Sequence, residues 1–172
     1  MKIAWCITGA EMFLNEVIEL IRKIDKEKVE IFLSKSAMEI LARYKILEKL
    51  EGYKINDEGN TSIFVITKLF SGRFDKIVIA PCSTNTIAKM VHGISDTLVT
   101  NIFSQGGKLR IPIYILPSDN QEFIEFSTIS GKKHLLFMRE IDRENLKKLA
   151  KFEGVKIFNN VRELEAALFD QG

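Results

Sequence analysis

Three short runs of small polar residues could hold a ligand: Thr8-Gly9-Ala10, Ser34-Lys35-Ser36 and Ser83-Thr84-Asn85-Thr86. Each follows a run of apolar, mostly β-branched residues that reads as a buried strand. Each precedes apolar residues at helical spacing. Hydroxyls and an amide at that junction have two uses. They can cap the helix, or they can contact an anion drawn by the free N–H groups and the dipole of the helix start. The third run is the fullest. Ile77 to Ala80 is the strand, Pro81 is expected to end its ladder, and Ile87, Ala88 and Val91 mark the following helix. Right-handed crossovers would bring all three turns to one rim of the sheet, where open α/β sheets bind ligands.

Other chemistries find less support. There is no G-x-G-x-x-G fingerprint and no G-x-x-x-x-G-K-[ST] loop. There is no G-x-S-x-G elbow for a nucleophilic serine, and the two histidines, His92 and His134, read as structural. Cys6 and Cys82 are too few for a disulfide framework and make no convincing metal site. Cys82 reads as a small buried thiol. Net charge is +2, from 25 basic and 23 acidic side chains, so no nucleic-acid partner is implied. No apolar run reaches the roughly 18 residues of a membrane span, and the short apolar amino terminus stops at Thr8-Gly9. A cytoplasmic protein is the expectation.

The elements that must position the three runs follow from periodicity. Strands are expected at Lys2–Ile7, Val29–Leu33, Ile77–Ala80, Pro112–Leu116, His134–Ile141 and Val155–Phe158, with a short irregular one near Tyr53–Ile55. Helices are expected at Met12–Ile24, Ala37–Leu50, from Ile87, at Thr97–Phe103 behind a Ser95-Asp96 cap, at Arg143–Glu153 behind an Asp142 cap, and at Glu163–Phe169, and Ile63–Phe70 reads as a short helix or a turn. Glu51–Ser62 reads as a surface connector and Gln105-Gly106-Gly107-Lys108 as a turn. Phe123, Ile124 and Phe126 lie in a weakly periodic stretch, to pack on a ligand or neighbour or to fold back on the core. Strands alternating with helices predict one domain over 1–172, an α/β, doubly wound, mostly parallel Rossmann-like (flavodoxin-like) three-layer sandwich.

At Ala80-Pro-Cys-Ser-Thr-Asn-Thr-Ile-Ala-Lys89, with Gly93 and Asp96 beyond, the chain resembles the FMN-binding flavoprotein family. Ile7-Thr-Gly-Ala10 and Leu33-Ser-Lys35 extend the resemblance over about two-thirds of the chain. The family includes phosphopantothenoylcysteine and lantibiotic-type cysteine decarboxylases, flavin prenyltransferases and archaeal electron-transfer flavoproteins. The resemblance implies FMN contacts from Thr8, Gly9, Ala10, Ser34, Ser36, Ser83, Thr84, Asn85 and Thr86, with Gln105 as a further carry-over. Two departures narrow it. Glu51 to Asp75 holds no histidine, which the cysteine decarboxylases use there. Glu11-Met12-Phe13 replaces the small residues that flavin prenyltransferases carry after the first strand. The archaeal branch is the best match, implying electrons from ferredoxin, an unassigned acceptor, and a homo-oligomer (a trimer or a multiple of trimers) with FMN near subunit boundaries. Lys132-Lys133 and Lys35 are candidates to meet an acidic donor. A flavin prenyltransferase or a dihydromethanopterin reductase-like enzyme is the alternative.

Overall fold

The alternating apolar runs form a six-stranded sheet, in which every pairing is parallel. The computed structural model describes residues 1–59 and 62–169. The strands of the sheet are β1 (Ile3–Ile7), β2 (Val29–Leu33), β3 (Lys54–Asp57), β4 (Lys76–Cys82), β5 (Ile113–Pro117) and β8 (Val155–Ile157). Their order is β3-β2-β1-β4-β5-β8. The winding therefore reverses between β1 and β4, and a crevice opens at their carboxyl ends.

The two faces divide the core. Ile3, Trp5, Ile7, Val78 and Ala80 pack under α1 (Leu14–Arg22), α2 (Lys35–Arg43) and α7 (Val161–Phe169). Ala4, Cys6, Phe32, Ile77 and Ile79 pack under α3 (Ser62–Phe70), α4 (Thr84–Val91), α5 (Leu98–Lys108) and α6 (Glu140–Leu149). β1, β2 and β4 are buried along their whole length, which is why they read as continuous apolar runs. Among the described residues no helix is long and apolar enough to cross a membrane.

Several boundaries differ from expectation. Pro81 does not end β4: after a register shift between Ile79 and Cys82 the strand resumes, and Cys82 pairs with Pro117. The expected helix to Leu50 breaks at Lys45, which is left-handed at φ 57°, and a 3-10 turn covers Ile46–Leu50. The Gln105–Lys108 turn is instead the last part of α5. Tight packing explains the glycine: a Cβ on Gly106 would stand 2.1 Å from Ile77 Cδ1, so tertiary contact overrides local propensity. Thr97, rather than Ser95-Asp96, caps α5. Asp142 lies inside α6, where it pairs with Arg139. The stretch expected as a strand at His134–Ile141 forms β7 (Lys133–Phe137), antiparallel to β6 (Phe123–Ser127) in a hairpin apart from the main sheet. Residues 60 and 61 of the expected connector lie outside the described residues.

Candidate functional site

The carboxyl ends of β1, β2 and β4 open into a cavity of about 450 Å³, within the usual range for small-ligand sites. Gly9, Ser34, Ser36, Ser83, Thr84, Asn85 and Thr86 line it together, with Lys35, Glu58, Lys89, Thr97 and Val99. Three helices start there. Ser34 caps α2, its Oγ accepting from Ala37 N at 3.1 Å. Ser83 caps α4, its Oγ accepting from Thr86 N at 3.3 Å. Thr97 caps α5, its Oγ1 accepting from Thr100 N at 3.2 Å, with the Thr100 hydroxyl accepting from Thr97 N at 3.0 Å. Each helix start leaves further N–H groups without an intrahelical acceptor. Glu58 accepts from the first N–H of α2 at 2.9 Å and of α5 at 3.0 Å, and the N–H groups that remain at the three ends favour an anion.

A framework of short bonds holds the bends. Thr8 is only 2% exposed. Its N–H and its hydroxyl both donate to Pro81 O, at 3.1 and 3.0 Å. Its Oγ1 also accepts from Ser83 N at 2.7 Å. Thr8 thus ties the bend after β1 to the bend after β4. Gly9 passes so close to α2 that a Cβ on it would lie 2.4 Å from Ser36 Cβ. Trp5 Nε1 donates to Ala80 O at 3.0 Å and fixes β4 from below.

The structure sorts the expected site residues. It brings Gly9, Ser34, Ser36, Ser83, Thr84, Asn85 and Thr86 to one wall-to-wall cavity. Thr8 and Ala10 are not part of that lining. Thr8 is spent on the buttress just described, and Ala10 N donates to Thr8 O within the turn at 2.8 Å. Gln105 lies about two turns along α5 from Leu98, roughly 10 Å from the helix start, and is not part of that lining. Thr97 was missed in favour of Ser95-Asp96, although Thr97-x-x-Thr100 ahead of an apolar run was a signal for it. Glu58 had no local signal, because only the β3 crossover carries it to the cavity.

Charge around the site is distributed by specific pairs. Lys89 Nζ meets both carboxylate oxygens of Asp96 at 2.9 Å, and that hydrogen bond holds the Asp96 carboxyl below its usual range. Glu11 is not part of the lining; it accepts from Tyr44 OH at 3.3 Å and from Ile129 N at 3.0 Å. Cys82 is buried, and burial pushes its thiol up. His92 Nδ1 contacts Ala88 O at 2.8 Å, and His134 stacks on Phe126 at 5.9 Å between centroids. A second hollow of about 400 Å³ lies on the hairpin between Glu125 and Leu135, but no helix start faces it.

A doubly wound sheet with a phosphate-favouring cavity at its switch point defines a nucleotide- or flavin-binding class of protein. The comparisons give the family. The Flavoprotein family model matches residues 1–172, and the chain belongs to that family. It is 37% identical to an uncharacterized protein, MJ0730, of Methanocaldococcus jannaschii, over 98% of this chain and 94% of the relative. It is 31% identical to the dihydromethanopterin reductase (acceptor) of Methanosarcina mazei, over 85% of this chain but only 63% of that longer enzyme. Among solved structures, Burkholderia xenovorans DmrB in complex with FMN, described as a cubic protein cage for redox transfer, superposes with a TM-score of 0.87 at 31% identity, covering 99% of this chain and 94% of DmrB.

Proposed function

We propose that this protein binds FMN in the switch-point cavity and carries electrons from a ferredoxin to an acceptor. The observation that carries the reading is the meeting of the α2, α4 and α5 starts on one cavity floored by Gly9. The fit is a physical one. Backbone N–H groups and the Ser34, Ser36 and Ser83 bends would hold the phosphate without a lysine clamp. Thr84, Asn85 and Thr86 would line the remainder. Bound FMN supplies the electron chemistry; the protein supplies position and electrostatics. Thr8 keeps the Ser83 bend in place, and Asp96 holds the Lys89 ammonium to one side of the hollow.

The donor side rests on charge. Lys35 stands at the cavity, and Lys132 and Lys133 lie exposed at the hairpin. Lys147, Lys148 and Lys151 line a further groove with His92. These surfaces suit an acidic partner. Assembly with copies of itself is part of the proposal. The hairpin exposes Phe123, Leu135, Leu136 and Phe137, at 57, 51, 42 and 71%, and a lone two-stranded ribbon is marginal in water. The cage described for DmrB supports the same reading.

The test is direct. The purified protein should show flavin absorption bands, released on denaturation and identified as FMN. Anaerobic stopped-flow mixing with reduced ferredoxin should bleach those bands. A colourless protein that takes up no FMN defeats the reading. A flavin that ferredoxin leaves oxidised, while a dihydropterin reoxidises the chemically reduced form, moves the case to the second reading, a pterin reductase, which the likeness to the Methanosarcina enzyme supports.

A further inference from the structure

Lys89, Gly93 and Asp96 lie beyond the hydroxyl run in the sequence, and the fold joins them. α4 ends at Val91. Gly93 is left-handed, at φ 71°, and Ile94 N donates back to Lys89 O at 2.9 Å. The chain doubles back there, and both oxygens of Asp96 lie 2.9 Å from Lys89 Nζ. The two partners differ in place. Lys89 lines the switch-point cavity, one turn along α4 from Asn85. Asp96 is not part of that lining, and its side chain is 57% exposed, against 25% for Lys89. A positive charge is therefore fixed in the cavity wall, while its counter-ion stands in solvent, where water and salt screen it. The other ionisable groups of the lining are Lys35 and Glu58. Lys35 is exposed, and Glu58 is bonded to the first N–H of α2 and of α5.

We propose that the Lys89–Asp96 pair sets the reduction potential of the flavin held in this cavity, Lys89 raising it and Asp96 tempering it. The inference rests on the FMN reading and gives the pair a role in the electron chemistry that the reading leaves open. Uptake of two electrons and one proton leaves one more negative charge on the flavin. A positive charge in the wall favours that form over the oxidised one. The hollow of about 450 Å³ is roughly 10 Å across, so the field of Lys89 reaches a ring seated anywhere in it. At about 10 Å and an effective dielectric near 20, one unit charge shifts an equilibrium roughly tenfold. The solvated carboxylate opposes this by a smaller factor.

The test measures the midpoint potential of bound FMN by anaerobic titration with redox dyes, at a mildly alkaline pH where reduced flavin is anionic. It uses the full chain as wild type, Lys89→Met, Lys89→Arg and Asp96→Asn. Lys89→Met keeps the length and removes the charge. Its affinity for reduced relative to oxidised FMN should fall about tenfold, which lowers the two-electron midpoint by about 30 mV. Lys89→Arg keeps the charge and should stay near wild type. Asp96→Asn frees the ammonium and should raise the midpoint. A mere brace at the end of α4 would shift both variants the same way, or would change both flavin affinities together and leave the midpoint in place. Either result overturns the proposal, as does Lys89→Arg falling as far as Lys89→Met. If one variant does not fold, the sign of the other's shift decides. A wild type that takes up no FMN defeats the flavin reading and this inference with it, whereas bound FMN with an unmoved midpoint defeats the inference alone.

Discussion

Gly9→Ala tests the geometry of the cradle most sharply. The added methyl would stand 2.4 Å from Ser36 Cβ and 3.3 Å from Ser36 Oγ. Carbon atoms settle at about 3.5–4.0 Å, so something must move by roughly 1 Å. Neither side yields easily. Thr8, one residue back, is bonded to Pro81 and Ser83, and Ser36 belongs to the first turn of α2. Overpacking of this kind costs about 1–3 kcal/mol. Taking about 2 kcal/mol, the melting temperature should fall by roughly 4–8 °C for a chain of this size. Urea denaturation can be followed through Trp5, the single tryptophan, which is fully buried. Ser36→Gly supplies the control, because it removes the atom the new methyl would strike. Alone it should cost about 0.5–1 kcal/mol as a helix glycine. Combined with Gly9→Ala it should be less harmful than the sum by about 1–2 kcal/mol. FMN affinity should follow, about tenfold for each 1.4 kcal/mol lost in the cradle. An unchanged midpoint in Gly9→Ala, or strict additivity in the double variant, would refute the close approach of the two bends.

Ser83→Ala with Asn85→Ala should weaken FMN binding while the fold persists, with a stability loss of about 1 kcal/mol from the missing α4 cap; equilibrium dialysis against FMN and a melting curve check both halves. Thr8→Val should destabilise by about 1–3 kcal/mol, since it strands the part-buried Ser83 N–H while Pro81 O keeps the Thr8 N–H, whereas Thr8→Ser should stay near wild type in urea denaturation. Glu30 gives a pH dependence. Burial opposes its charge, but hydrogen bonds from Lys68 and Asn56 and the charges of Lys68 and Lys54 outweigh this and hold its carboxyl below the ordinary value. A depressed carboxyl stabilises the fold above its unfolded value near pH 4 and loses that contribution as pH falls through the folded one. Glu30→Gln should therefore cost about 2 kcal/mol at pH 7, and the gap to wild type in urea midpoints should close as pH drops below 4.

The main sheet was legible because its central strands are buried on both faces and carry little but apolar residues. The three bends were legible for the same reason: polar residues stand out against such strands. What escaped was set by contacts distant in sequence. Gly106 stands within a helix because Ile77 leaves room for nothing larger at that position. β4 continues past Pro81 because Cys82 finds Pro117 on the neighbouring strand. The β6–β7 hairpin has an exposed ribbon's mixed pattern, with Glu125 opposite Leu135 and Phe126 opposite His134, so period-two alternation gave no clean signal there.

The hydroxyls themselves carry a different lesson. Read as a sequence, each had two alternative uses, a cap or a ligand contact. In the structure the Ser34, Ser83 and Thr97 oxygens are hydrogen-bonded to the third N–H of their own helices. Capping and binding are therefore not rivals here. A cap satisfies the donor that points back along the helix and holds the first turn open, so that the N–H groups ahead of it face the hollow. On the proposed flavin reading, affinity for a phosphate would reside chiefly in the backbone N–H groups.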